Sequence, residues 1–550
     1  MGRLFAFDSA KTRIPKFFRR KGKVSAQTGF ETGSTLSTLR NAPKYTGKYM
    51  IVHESESILG QSAANATPLF WVTNDDSDEA LLELINRLPT SPDGFTNLAD
   101  AVAWASSNDF MIISASDNIP GGNLVMHLDV RKVECWPGTG NILYDLSGNN
   151  NHATLYNTPV ISGGFITWNG TNEYAQMSYN SNMAGWSSAQ SVVMWLRHSF
   201  TSGRRNPWDQ AYGGYGTWTH EQGNNINNYF GDSGSNTTPY TSGNSGTTNR
   251  NQWNLLVTTR NTSQQKWYVN GNNTSTRGHS YSTLTATTRV VRLARGYAGY
   301  WQGHMGPVIA YDRVLSADEV KSIYYGGPIV TSELVLAVDS GVLGSFDQGE
   351  TITYDLTGGT QGELFNGVGY SSTQKTWMFD GTNDYIEFPS DIMNDGEEYT
   401  LSIWLRPNGS SWGNNAIPMY NTYAGNSSYG FWHHFGHDNV LRWRHGGSTY
   451  TIGDLPGIGL VANEWQLTTV TFDNTTLRLY KNGTYSNHTT AARAFRRSGA
   501  GARIGMLNYR RTSNDYNWNG DIACQHVYNR ALTADEVMQN FNAQRARFGL

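Results

Sequence analysis

Residues 301–320 read W-Q-G-H-M-G-P-V-I-A-Y-D-R-V-L-S-A-D-E-V, and residues 518–537 read W-N-G-D-I-A-C-Q-H-V-Y-N-R-A-L-T-A-D-E-V. Each begins as an alternating, strand-like run, passes through Tyr-Asp/Asn-Arg and ends in a helix start. Ser316 and Thr533 stand where a hydroxyl accepts from the free N–H groups of a first turn. Glu319 and Glu536 follow at the spacing that lets a carboxylate reach back to the cap, which makes a capping box. Leu315 and Leu532 precede the caps, with Val320 and Val537 placed to close a hydrophobic staple. So complete a signal, occurring twice, marks a duplication of the C-terminal two-thirds of the chain.

Other motifs run in the same order through both copies. L-V-M-H-L-D (124–129) matches L-V-L-A-V-D (334–339), and Y-D-L-S-G (144–148) matches Y-D-L-T-G (354–358). W-N-G-T-N-E-Y (168–174) matches F-D-G-T-N-D-Y (379–385), and V-V-M-W-L-R (192–197) matches L-S-I-W-L-R (401–406). Y-V-N-G (268–271) matches Y-K-N-G (480–483). Short alternating runs joined by turn dipeptides predict antiparallel strands. Asn270-Gly271 and Asn482-Gly483 predict hairpin turns with positive φ.

Net charge is −3 and charged residues make up only 15% of the 550 residues, which gives no global case for nucleic acid. The plentiful Gly, Asn, Ser, Thr, Tyr and Trp suit sheets with many turns. The two cysteines, Cys135 and Cys524, fall at non-equivalent places and form neither a disulfide framework nor a zinc pattern. Residues 1–23 lack a continuous apolar run, so no signal peptide is expected, and no stretch is long enough to span a membrane.

Residues 1–50 read as an extended basic arm. Phe5, Phe7, Arg13, Phe17, Phe18, Arg19 and Arg20 are its candidate assembly contacts, with charge to attract and rings to anchor. Residues 51–122 read as a small α/β domain, with strands over 49–53, 69–73 and 110–114 and helices over 78–88 and 97–106. Residues 123–329 and 330–550 are then two sandwiches, each large enough for its own core.

Together Y-D-L-S-G-N-N-N-H, F-D-G-T-N-D-Y, S-I-W-L-R, Y-K-N-G and the closing Y-N-R-A-L-T-A-D-E-V resemble the concanavalin A-like, laminin-G-like lectin/glucanase domain. The forms they most resemble occur in bacteriophage and bacterial surface proteins. The fold expected is therefore mainly β: two tandem antiparallel jelly-roll β-sandwiches preceded by the small α/β domain and the N-terminal arm.

Each copy carries an aromatic, polar insertion, at 198–250 and 408–450. Sugars offer C–H faces to rings and hydroxyls to polar groups. Trp208, Tyr212, Trp412, Tyr420 and Tyr423 lack counterparts across copies and are the candidates for loop-borne glycan recognition. Trp218 and Trp432 share a Y-G-x-W-x-H framework and belong either to the core or to a concave binding face. Asp145, Asn149 and Asn151 could hold calcium, as laminin-G-like relatives do at a sandwich rim, although an Asx-turn explains the same residues. No other cofactor is required. No strand shows the row of carboxylates that glucanases use, so no enzyme is expected.

The resemblance implies a phage virion structural protein: a tail fibre, baseplate appendage or capsid-attached fibre or decoration. It would be made in the host cytoplasm and displayed on the virion surface. Its partners would be other virion proteins through the N-terminal region, host cell-surface glycans and further copies of itself, with neither membrane nor nucleic acid. The alternatives are a bacterial surface adhesin, a glycan-degrading enzyme and a purely structural capsid decoration.

Overall fold

The structure, a computed structural model, describes 24–25, 49–53, 69–73, 82, 85–86, 94–96, 101, 104, 110–114, 119–120 and most of 124–550. Within 124–550 it leaves out 179, 181–188, 211–214, 223–224, 233–242, 279–289, 297–298, 390–391, 393–397, 410–417, 424–425, 436–439, 446–457, 491–500 and 507–516. Strands over 215–246 and much of 419–445 are described by backbone alone. The candidate assembly contacts Phe5, Phe7, Arg13, Phe17, Phe18, Arg19 and Arg20 lie outside the described residues.

The chain forms two compact units, Met1–Lys321 and Ser322–Phe548. The division between the two units lies within the helix Ala317–Tyr324 (α1). Near the N-terminus the three expected strands form at Tyr49–His53, Leu69–Thr73 and Phe110–Ser114, the first pairing antiparallel with both others. One correction concerns the arm. Val24–Ser25 is a short strand paired with Val72 and Thr73, so part of residues 1–50 is an edge of this sheet. An unpaired edge on Leu69–Thr73 offers free N–H and C=O groups, which explains why a short segment adds there.

Each sandwich has two antiparallel sheets. In the first, the framework sheet centres on Gln190–Arg197, between Asn254–Arg260 and Gln302–Tyr311. Its counterpart centres on Tyr399–Pro407, between Gln466–Phe472 and Asn519–Tyr528. The opposing sheet, called here the face sheet, runs Tyr215–Gln222, Arg204–Asp209, Arg292–Leu293, Tyr174–Met177, Ala153–Tyr156, Ile142–Leu143. In the second unit the matching order is Asn426–Phe435, Met419–Tyr423, Arg503–Ile504, Tyr385–Glu387, Gln361–Phe365, Ile352–Tyr354. The duplication therefore holds strand for strand.

Inward residues of both sheets meet in one core per unit. Met194, Leu256 and Trp168 of the first framework sheet pack with Leu155, Ala175, Trp208 and Leu293 of the face sheet. Trp377, Leu401 and Val470 pack with Ile386, Trp443 and Ile504 in the second. Between the strands, Asn270 and Asn482 adopt φ 51° and 50° ahead of Gly271 and Gly483, as the hairpins require. Their side chains also accept from Leu255 N and Leu467 N, each at 2.9 Å.

The caps form as read. Ser316 Oγ accepts from Glu319 N, and the Glu319 carboxylate accepts from Ser316 N. Thr533 and Glu536 do the same at the start of Ala534–Gln544 (α2). Arg313 and Arg530 then grip those carboxylates in two-bond pairs. The Arg530 bond holds the Glu536 carboxyl down at about 2. A buried hydroxyl ties this corner to the sheet. Thr400 Oγ1 donates to Arg530 O and accepts from Leu532 N, both at 2.8 Å. Ser191 Oγ repeats the contact with Arg313 O and Leu315 N.

The Thr533 cap is exposed, so Thr533→Ala should cost about 1 kcal/mol. Thr400→Val leaves two buried backbone groups unmet and should cost about 2–3 kcal/mol. Urea unfolding of both variants checks the order; a Thr400→Val loss no larger than that of Thr533→Ala would contradict the tie.

Candidate functional site

The described parts of the insertions supply strands of the face sheet, which moves several expected contacts. Trp208 lies on Arg204–Asp209 and is fully buried, opposite Leu293, which itself pairs with Ala175. That row points into the core, so Trp208 is a packing residue and not a loop-borne contact. Tyr420 and Tyr423 stand on the strand Met419–Tyr423 rather than at loop ends. Tyr212 and Trp412 lie outside the described residues.

Register decides which positions share the outer face. In the first unit, Thr154, Gln176, Arg292, Asp209 and Trp218 stand directly opposite one another across successive strands. In the second, the row is Glu363, Glu387, Arg503, Tyr420 and Trp432. Residues directly opposite in a ladder share a face, and the alternate residues Leu155, Ala175 and Leu293 are buried. The Trp218, Trp432 and Tyr420 positions therefore lie on the outer side of their sheets.

Beside this row each unit carries a stack of rings. Tyr156 and Tyr174 are cross-strand partners whose rings stack at 4.6 Å with an interplanar angle of 5°. The Arg295 guanidinium lies 4.6 Å from the Tyr174 ring. In the second unit Phe365 and Tyr385 pair and stack at 4.8 Å and 17°. There the Arg503 guanidinium covers Tyr385 at 4.2 Å. Both units thus stack a cation, a ring and an outer ring, with the cation supplied from different register positions. Tyr156 is 38% exposed. The strand beside it turns at Gly140, with φ +91°, where a Cβ would meet nothing within 4 Å.

These residues were not singled out from sequence. Tyr174 and Tyr385 close the repeated G-T-N-x-Y motif, and its recurrence in both copies was the available signal. Their partners come from a distant strand that only the register identifies.

A family described as the concanavalin A-like lectin/glucanases superfamily matches residues 169–321 and again 380–538. The chain belongs to this superfamily. It carries two such lectin-type domains in tandem, as the motifs imply. Among solved structures it is similar to the binding domain of Paraclostridial Mosquitocidal Protein 1, at 13% identity and TM-score 0.35, covering 60% of this chain and 92% of that one. It is also similar to the botulinum neurotoxin serotype D binding domain, at 12% identity and TM-score 0.35, covering 72% and 96%. A third is domain 4 of the extracellular arabinanase from Geobacillus stearothermophilus, solved with arabinotriose, at 17% identity and TM-score 0.30, covering 38% and 98%. No curated protein matches the chain.

The trio Asp145, Asn149 and Asn151 does come together, around the first strand of its sandwich. Asp145 Oδ1 accepts from His127 N and Ser147 N; Oδ2 accepts from the Ser147 hydroxyl and Asn151 N. Asn149 and Asn151 donate their amides to Leu124 O and Val125 O. Asp355 repeats the arrangement, accepting from Ala337 N, Thr357 N, the Thr357 hydroxyl and Gly359 N. Burial pushes the Asp355 carboxyl above its ordinary range against the pull of those bonds. Each carboxylate has roughly four lone-pair sites, and the chain's own donors take them. Asn151 Oδ1 is buried and accepts no hydrogen bond among the described residues. Asn149 uses its amide only to donate, and the two amide oxygens of Asn149 and Asn151 fall well short of the roughly six to eight ligands calcium takes. Among the described residues no group of three His, Cys, Asp or Glu could hold a metal.

Asp145 thus serves as a pin between the first strand and the turn. Asp145→Asn should lower the melting temperature of the first unit, and adding millimolar calcium or a chelator should leave the wild type unchanged. A calcium-dependent rise in melting temperature that Asp145→Asn abolishes would show that the trio holds the ion after all.

Proposed function

We propose that the chain is a glycan-binding protein of a phage virion, anchored by its N-terminal region and displaying two lectin-type sandwiches to host surface sugars. The observation that carries the binding half is the repeated outer stack, Tyr156–Tyr174–Arg295 and Phe365–Tyr385–Arg503. One face of a sugar ring is a set of C–H bonds that packs on a flat aromatic ring, and its hydroxyls pair with guanidinium and amide groups. A ring already held by stacking loses little further freedom when a ligand lands on it. Both a ring surface and hydrogen-bonding groups therefore stand side by side before ligand arrives.

The sheet face supports binding rather than catalysis. Glu387, two residues along the strand from Tyr385, is engaged by Arg503, and Gln176 stands at the same register position in the first unit. For the virion half, the support is the basic, Phe-bearing sequence of residues 1–23 together with the phage-type motifs. Cations draw such a segment to a partner, and rings fill pockets there.

Binding should be weak per site, at about millimolar Kd, and strengthened by copy number on the particle. On a surface of host polysaccharide, the double variant Tyr156→Ala/Phe365→Ala should bind about tenfold more weakly with an unchanged circular dichroism spectrum. Unchanged affinity would remove the stacks from the account. For anchoring, deletion of residues 1–23 spares the strand Val24–Ser25. The truncated chain should fold and bind sugar yet fail to enter particles; full incorporation would contradict the virion reading.

A further inference from the structure

The two outer stacks differ in how their arginines are satisfied. In the first unit Arg292 Nε donates to Gln176 Oε1 at 3.0 Å, a neutral partner. Arg295 lies on Tyr174 at 4.6 Å and near Tyr300 at 5.6 Å. Among the described residues neither guanidinium is bonded to a carboxylate. In the second unit the equivalent of Arg292 is Arg503, because each pairs in register with the strand of its own stack, opposite Gln176 and Glu387 respectively. Arg503 Nε and Nη2 both donate to Glu387 Oε1, at 2.9 and 2.8 Å. The second unit therefore supplies its own carboxylate at the point where the first offers an amide.

A guanidinium is a planar fork of donors that fits a carboxylate better than any neutral group. Tyr174 and Gln176 are same-face neighbours on one strand, about 7 Å apart along it. Arg295 and Arg292 each lie against one of the two residues, on the side of their strand away from Tyr156. We infer that the first unit selects a carboxylate-bearing saccharide and the second a neutral one, an inference that rests on the glycan-binding reading above. The acid's carboxylate takes in the first unit the place that Glu387 takes in the second. Arg292 is its main donor and Arg295 lies alongside, while a neighbouring ring of the same saccharide, beyond Tyr174, rests on Tyr156. In the second unit the same position is already filled, so an incoming acid meets Glu387 and is repelled; the first unit's Asp209, opposite Arg292 on the next strand, is only 6% exposed.

The test uses the full chain in calorimetric titrations with paired probes: trigalacturonic acid against its methyl ester, and sialyllactose against lactose. At least one acid should bind about tenfold more tightly than its neutral counterpart, at one site per chain. The pair that shows the difference tells a hexuronic from a nonulosonic acid. Gln176→Glu copies the second unit and should abolish the preference while neutral-sugar binding persists. Glu387→Gln should add a second acid site. If Gln176→Glu does not fold, Arg292→Gln serves in its place, with the same loss expected. Equal binding of acid and neutral forms by the wild type, or a preference that survives Gln176→Glu, overturns this inference and leaves the glycan-binding reading standing. Binding of none of the four probes by either unit overturns both.

Discussion

A single buried hydroxyl fixes each sandwich at the corner where its last strand gives way to the closing helix. Ser191 and Thr400, both fully buried, bridge a carbonyl and an N–H of the chain leaving the sheet. Neither backbone group could be left unmet there without a cost on the order of 1–3 kcal/mol. Once that corner is set, the rest follows locally. The arginine whose carbonyl is held turns its guanidinium onto the capping glutamate, and the leucine whose N–H is held closes under the first helical turn. The aspartate pins at Asp145 and Asp355 do the same for the opposite end of the chain path, tying the first strand to the turn that leads into the face sheet. These four side chains stand at matched places in the two units, alongside the matched caps and Asn-Gly hairpins.

That economy leaves the face sheet free to diverge. Its inner residues must fill a core and stay apolar, while its outer residues answer only to solvent and ligand. Gln176 and Glu387, or Asp209 and Tyr420, occupy equivalent register positions and differ in charge without disturbing the sheet. The stacked rings are the part of the outer face that stays alike. A cross-strand aromatic pair contributes roughly 0.2–1 kcal/mol to a sheet, a modest structural return for leaving large rings in water. Their retention together with a covering arginine favours a role in recognition.

Much of the framework was legible because its signals are local. A capping box needs only two residues at fixed spacing, and an Asn-Gly hairpin announces its own backbone geometry. The strands at 49–53, 69–73 and 110–114 stood out as short apolar runs. The face sheet hid itself for a physical reason. Asn225–Asp232 and Gly243–Thr247 are built largely from Gly, Asn, Ser and Thr, residues that also make loops, and their pairing comes from a neighbouring strand rather than from their own alternation. Trp208 was misplaced with them: a lone ring in a polar stretch reads as exposed until the register shows it opposite Leu293. The Tyr156–Tyr174 and Phe365–Tyr385 pairs were beyond sequence reasoning, since each joins two strands separated by a hairpin of the other sheet. Even Val24–Ser25 looked like part of a tail, because an edge strand so short carries no pattern.

The central claim is that sugar lands on the outer face of the face sheet, over the stacked rings, and not at the loop ends of the sandwich. A crystal structure of the full chain with an oligosaccharide it retains tests this most directly. The account predicts a sugar ring lying flat on Tyr156 in the first unit, with the rest of the oligosaccharide running past Tyr174 toward Arg292 and Arg295. Sugar seated at the loop ends, with Tyr156 and Phe365 uncovered, would contradict it.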